Sequence, residues 1–245
     1  MIDYIIEIAT ADFETTQSAV HGGADRIELC AALGDGGTTP SFAMIKKCRE
    51  SFSIPIFPII RPRGGDFLYS EEEFEIMMHD VLVSKDLGCD GVAIGLVKKF
   101  GEIDTDRTKR LIVAAYPMEI TFHRAFDRCK DPYEALEQLI EMGCQRLLTS
   151  GQKLTAPEGI DVISKLISQA NDRIIIMPGS GVRRENIKDI AMQSGAMEFH
   201  SSLRNKTKSK MEFMHSAFTQ NEESYYNSAI NPDDVKALRE ALLHK

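Results

Sequence analysis

The stretch Ile56-Phe57-Pro58-Ile59-Ile60-Arg61-Pro62-Arg63-Gly64-Gly65-Asp66 starts as an apolar strand and breaks into a loop carrying two guanidinium groups, two glycines and a carboxylate. A core strand that ends in concentrated charge reads as a binding loop on a rigid scaffold. The same pattern recurs along the chain. Strands are expected near Tyr4–Ile8, Arg26–Leu29, Ile56–Ile60, Gly91–Gly95, Ile120–His123, Arg146–Thr149, Ile174–Met177 and Glu198–His200. Their starts lie roughly 22 to 36 residues apart, the length of one strand-helix unit with a parallel return.

Helical runs fill the gaps. Ser70 precedes Glu71-Glu72-Glu73, a capping residue followed by acids where the helix dipole favours them. Asp131-Pro132 opens Tyr133–Met142 and Gly143 closes it, and Asn231-Pro232 opens the last helix over Val235–Leu243. Eight alternations predict an α/β protein, a single (β/α)8 TIM barrel spanning residues 1–245, with an open doubly wound sheet as the competing topology. The stretch 204–231 reads as irregular, long for a connection inside a compact domain, and serves as a surface loop, a lid or an oligomer contact.

Composition narrows the partners. A net charge of −8 argues against a non-specific nucleic-acid binder, and the absence of tryptophan removes the best stacking residue for single strands. Five cysteines, Cys30, Cys48, Cys89, Cys129 and Cys144, show no CxxC pairing, so neither a disulfide framework nor a structural zinc site is expected. No apolar run approaches the ~18 residues of a membrane span, and the start lacks a basic, cleavable leader. The expectation is a cytoplasmic protein that meets neither membranes nor nucleic acid.

Strand parity says where the polar residues point. Ile6 and Ile8 flank Glu7, Ile27 and Leu29 flank Glu28, and Phe122 and Phe199 precede His123 and His200. The apolar set packs outward under helices, so Glu7, Glu28, Cys30, Arg61, His123 and His200 should face the barrel axis near its C-terminal mouth, where active sites of this fold lie. Glu28, His123 and His200 are the candidate acid/base residues. Arg61 and Arg63 suit a small anionic ligand, with Asp66 beside them. Gly179-Ser180-Gly181, read as running into a helix over Arg183–Gln193, and Ser201 after the eighth strand add a candidate phosphate or carboxylate subsite. A structural ion pair, Glu7 with Arg61 or Glu28 with Arg63, is the plainer alternative, and Arg26 and Glu119 are placed at the opposite rim.

Five motifs together resemble a known family: Gly22–Cys30 (GGADRIELC), Ile60–Tyr69 (IRPRGGDFLY), Thr121–Asp127 (TFHRAFD), Leu148–Gly151 (LTSG) and Glu198–Ser201 (EFHS). They resemble the CutC family over residues 4 to 203. The resemblance implies a (β/α)8 barrel, a cytoplasmic location, a homo-oligomer of two or more copies, and a role in copper homeostasis with Cu(I) binding. Departures are Ala9 where members often carry cysteine, Ser201 where some do, and Gly179-Ser180-Gly181 for a triple glycine.

Two functional readings therefore compete. Cu(I) prefers thiolate and thioether ligands, and Cys30 is the one soft ligand convincingly at the mouth. The other reading is an enzyme of isomerase or lyase type working on a small anionic metabolite, with a variant that places a divalent metal on Glu7, Glu28 and His123.

Overall fold

The fold was analysed in a computed structural model that describes residues 4–218 and 225–243. Eight parallel strands alternate with helices in chain order. They are β1 (Ile5–Thr10), β2 (Arg26–Leu29), β3 (Ile56–Pro58), β4 (Gly91–Ile94), β5 (Glu119–Phe122), β6 (Arg146–Thr149), β7 (Ile175–Pro178) and β8 (Glu198–Ser201). The helices are α1 (Phe13–His21), α2 (Phe42–Ser51), α3 (Glu71–Asp86), α4 (Thr105–Ala115), α5 (Pro132–Met142), α6 (Ile160–Ala170), α7 (Ile187–Ser194) and α8 (Pro232–Leu243). The result is a (β/α)8 barrel. Among the described residues no helix is long and apolar enough to cross a membrane.

Local chemistry sets the helix starts. Ser70 Oγ accepts the Glu73 N–H at 3.2 Å while Glu73 reaches back to the Ser70 N–H at 2.8 Å, a capping box at the head of α3. Asp131 accepts from Tyr133 and Glu134, and Gly143 ends α5 in the left-handed conformation. These two boundaries match the sequence reading to within a residue.

The barrel is made of two four-stranded arcs, β3-β2-β1-β8 and β4-β5-β6-β7. One seam closes where the Ile60 N–H donates to the Ala93 carbonyl at 2.8 Å. At the other, β7 and β8 lie side by side with no ladder pairing among the described residues. Outward-facing Ile6, Ile8, Ile27, Leu29, Phe122 and Phe199 join the helices in one large core. Inside, Cys30, Ile59 and Ala93 form a small apolar layer near the mouth.

The stretch expected to be irregular, 204–231, carries an antiparallel ribbon. β9 (Asn205–Lys208) pairs with β10 (Tyr226–Ala229), matching Asn205 with Ala229 and Lys208 with Tyr226. Alternation of threonine with lysine suits an exposed ribbon, which the polarity of the segment had concealed.

Deeper in the lumen, Phe57 lies between two guanidinium groups, 5.2 Å from Arg26 and 5.6 Å from Arg146. Gly91 makes room for it, since a β-carbon there would sit 2.4 Å from the Phe57 ring and 2.7 Å from the Glu119 carbonyl. Gly91→Ala should therefore destabilise the fold by about 1–3 kcal/mol through overpacking. The check is urea denaturation, where the midpoint should fall with the slope unchanged; an unchanged midpoint would show that the lumen is looser than this packing implies.

Candidate functional site

Register places Glu7 level with Arg26 on one side and His200 on the other. These three inward side chains begin a line of alternating charge through the lumen. The Glu7 carboxylate accepts from Arg26 Nε and, at 2.8 Å, pairs with His200 Nδ1. Arg26 donates onward to Glu198 at 2.6 Å, Glu198 accepts from Arg146 at 2.7 Å, and Arg146 reaches Glu119 at the far rim at 3.1 Å. Arg26 was expected, as a structural residue, out at that rim. It is instead a buried link between Glu7 and Glu198, because residues two apart on β2 share the inward face.

The electrostatics follow from these partners. Burial would raise the Glu7 carboxyl, but Arg26 and then His200 outweigh it and hold it at about 2. For His200 burial works toward neutrality, yet the carboxylates of Glu28 and Glu7 raise it above its ordinary value. Glu28, whose Oε2 lies 3.8 Å from His200 Nε2, is pushed up by burial, with His200 pulling the other way. The ladder thus ends at the mouth in a carboxyl easier to protonate than usual beside an imidazole harder to deprotonate.

Above them opens a cavity of about 170 Å³ lined by Glu28, Arg61, Phe67, His123, Arg124 and His200, with the loops after β7 and β8 on its far wall. Arg61 is 4% exposed and has no carboxylate partner among the described residues. Its terminal nitrogens donate to the carbonyls of Asp35, Gly37 and Gly65 at 2.7–2.8 Å, clamping the loops that follow β2 and β3. Its Nε lacks an acceptor. His123 caps a short 3-10 turn, Arg124–Arg128, and its Nδ1 accepts the Ala125 N–H at 3.1 Å. The ring proton therefore belongs on Nε2, which also lacks an acceptor. Burial and then Arg61 lower His123 to about 3, so it is a neutral hydrogen-bond donor and not the acid/base group expected from sequence.

The other expectations divide. Glu28, His200, Arg61, Ser180, Gly181 and Ser201 line the cavity. The hydroxyls of Ser180 and Ser201 are already spent, donating at 2.8 Å to the carbonyls of Leu154 and Val182, so what these loops offer is main-chain N–H. The N–H groups of Ser180, Gly181 and Ser202 have no acceptor among the described residues. The expected helix over Arg183–Gln193 begins only at Ile187, so the glycine loop does not run straight into a helix dipole. Gly179 is a packing residue: a β-carbon there would meet Leu148 at 2.4 Å and crowd His200.

Arg63 and Asp66 lie outside the cavity. Arg63 pairs with Glu73 at 2.5 Å and Asp66 at 3.0 Å, fastening the loop to the head of α3, because the strand ends at Pro58 and its parity no longer governs the loop. The ion pairs considered earlier, Glu7 with Arg61 and Glu28 with Arg63, do not form; Arg26, His200 and Glu73 take those roles. Arg124, Arg183 and Arg204 line the mouth and were missed. The TFHRAFD motif contained the first of them, whereas the other two follow strands in loops without a parity to read.

The metal expectations fit poorly. Both Glu7 oxygens are engaged, His123 turns its one lone pair to a main-chain N–H, and no group of three His, Cys, Asp or Glu arranged for a metal occurs among the described residues. For Cu(I) the need is thiolate. Burial and then the charge of Glu28 raise the Cys30 thiol well above its ordinary value, and its Sγ donates to Glu28 at 3.6 Å. The other sulfurs are elsewhere: Met177 accepts from Arg26 at 3.3 Å, and Cys129 is held by Gln152 outside the cavity wall. Copper does not fit this donor set.

Fold and site define a (β/α)8 barrel whose C-terminal mouth sets Arg61, Arg183 and Arg204, which have no carboxylate partner among the described residues, over a buried glutamate-histidine cluster. The profile described as the CutC family matches residues 4–205, and the chain belongs to that family. A family protein CutC from Chromobacterium violaceum is 45% identical over 244 residues, covering 98% of this chain and 99% of that one. The copper homeostasis protein cutC homolog of Homo sapiens is 44% identical over 214 residues, covering 87% and 78%. Among solved structures, the putative copper homeostasis protein CutC from Streptococcus agalactiae superposes with a TM-score of 0.78 at 32% identity, over 81% of this chain and 98% of its own. A phosphoribosylanthranilate isomerase from Pyrococcus furiosus, at 11% identity and a TM-score of 0.57 over 98% of both chains, shares the fold.

The neutral state of His123 has a measurable cost. Its folded value is depressed, so the unfolded chain binds a proton near pH 6.5 that the folded protein refuses until about pH 3. Stability must then fall as pH drops through that window, by up to about 1.4 kcal/mol per pH unit. Glu7 adds a loss with the same sign below about 4.5. In the difference between wild type and His123→Asn the other groups cancel, so the wild type should lose stability relative to the variant as pH falls from 6.5. Denaturation series at several pH values check this, and a pH-independent difference would contradict the assignment.

Proposed function

We propose that the barrel mouth binds a small metabolite bearing a phosphate or carboxylate and moves a proton at a carbon next to a carbonyl. The observation that carries this reading is Arg61: a buried cation in the cavity lining with no carboxylate partner among the described residues. A buried charge without a counter-charge is costly, and an oxyanion in the cavity beside it relieves that cost. Arg183, Arg204 and the free N–H groups of the loops after β7 and β8 supply the remaining donors for an anion.

The chemistry falls to Glu28 and His200. In its ionised form Glu28 is a stronger base than an ordinary glutamate because burial raises it. It takes the proton, the C–H electrons move toward the carbonyl oxygen, and the His200 imidazolium, kept charged by Glu7, stabilises the oxygen as negative charge develops. When the reacting carbon also bears a hydroxyl, His200 gives a proton to the former carbonyl oxygen and takes the hydroxyl's proton in its place, and return of the abstracted proton to the former carbonyl carbon completes an aldose–ketose isomerisation. Glu7 and Arg26 position His200 and touch no substrate.

The test has two parts. Inorganic phosphate and a small phosphorylated hydroxyketone should bind in calorimetry, and Arg183→Ala should weaken both by about tenfold or more. In deuterated water the wild type should exchange the carbon-bound proton of the hydroxyketone by NMR. Glu28→Gln should retain binding while losing about 100-fold or more of the exchange. The reading fails if neither compound binds, or if exchange survives Glu28→Gln.

A further inference from the structure

The cavity over Glu28 and His200 is small. About 170 Å³ falls below the roughly 300–1,000 Å³ of ordinary ligand pockets. It does not stand alone. A second cavity of about 470 Å³ adjoins it, and Gly36, Arg61, Phe67 and Arg124 line both. Together they reach the size of a metabolite-binding pocket. The outer cavity is bounded by the loop after β2 at Asp35, by the turn after β5 at Asp127 and Arg128, and by the loop after β6 from Gln152 to Glu158.

Its chemistry differs from that of the inner cavity. The arginines of the inner mouth outnumber its carboxylates, whereas the outer wall mixes Arg128 and Lys153 with Asp35 and Glu158, so both acceptors and donors are on offer. Arg128 has no partner among the described residues, and Lys153 commits only its carbonyl. Asp127 is not available: it accepts from Thr149, Ser150 and Gln152 and pairs with Arg124, so it serves as the anchor of the β6 loop. The flat ring of Phe67, with the Arg61 guanidinium 4.9 Å from its centre and His123 5.1 Å away, gives the shared wall an apolar face. Leu154 adds a second apolar edge and is 81% exposed. Balanced carboxylates and cations around an aromatic face suit a neutral chain of hydroxyl groups with C–H faces, not a second anionic group.

We infer that the ligand is a phosphorylated sugar-like molecule of five or six carbons: its phosphate on the loops after β7 and β8, its reacting carbon over Glu28 and His200, and its polyol tail in the outer cavity against Phe67, Arg128 and Glu158. This rests on the oxyanion reading of the inner cavity and adds the length and the hydroxyl-bearing tail. It also accounts for the clamping of two loops by Arg61, because Asp35, Gly36 and Gly65 form part of the outer wall.

Calorimetry with three ligands on the full chain tests it: inorganic phosphate, a six-carbon sugar phosphate and the corresponding unphosphorylated sugar. The wild type should bind the sugar phosphate about tenfold or more tightly than phosphate. Arg128→Ala with Glu158→Ala should abolish that gain while leaving phosphate affinity unchanged; both side chains are exposed, so folding should be little affected. Equal affinity for phosphate and sugar phosphate, or a variant that weakens both ligands alike, would overturn the tail subsite and leave the oxyanion reading standing. Binding of the unphosphorylated sugar without phosphate binding would overturn the oxyanion reading and keep the outer subsite.

Discussion

The pairing of Glu7 with Arg26 and His200 in the middle of the barrel is the constraint on which the site depends. A carboxylate buried there alone would be prohibitively costly, so its partners are obligatory. Each partner must in turn be neutralised, which extends the line to Glu198, Arg146 and Glu119 in one direction and to Glu28 in the other. Removing one member of such a buried set leaves its neighbour uncompensated, at a typical cost of about 3–5 kcal/mol. The lumen is thus polar where barrel interiors are usually filled with branched aliphatic side chains, and the two ends of the barrel are electrostatically linked.

That arrangement fixes the charge state and orientation of the groups at the mouth. His200 cannot relax to an ordinary imidazole while Glu7 holds its Nδ1, and Glu28 cannot relax to an ordinary carboxylate while it is buried beside it. Arg61 performs the matching task for the loops, tying the segments after β2 and β3 to one another through their carbonyls. The buried cation beside the cavity and the residue that shapes its walls are thus one and the same. Cys30 sits within this framework as a protonated thiol beside Glu28, which is why a soft-metal role does not suit it.

How much of this was legible beforehand depends on whether a residue sits in a strand. Inside strands the two-residue period carries the information, and Glu7, Glu28 and His200 face the axis as that period requires. The choice of Arg26 as the partner of Glu7 was open to the same argument, since Arg26 and Glu28 share parity, and the guanidinium reaches from the first residue of β2 to both Glu7 and Glu198. Beyond Pro58 the backbone leaves the strand, and alternation no longer distinguishes Arg61, which turns inward, from Arg63, which turns to α3. His123 shows a different limit. Position alone made it an acid/base candidate, whereas its role depends on one main-chain hydrogen bond from Ala125 that no pattern reveals. Arg183 and Arg204 reach the mouth from loops, where only tertiary structure brings them near Glu28.

The central claim is that the lumen ladder sets the protonation of the mouth. Site-resolved NMR titration of the His200 ring and the Glu28 carboxyl in the wild type measures it directly. The account predicts that His200 keeps its proton above its ordinary value of 6.5 and that Glu28 releases its own above 4.5. A His200 that titrates at or below 6.5, with Glu28 at its ordinary value, would contradict it.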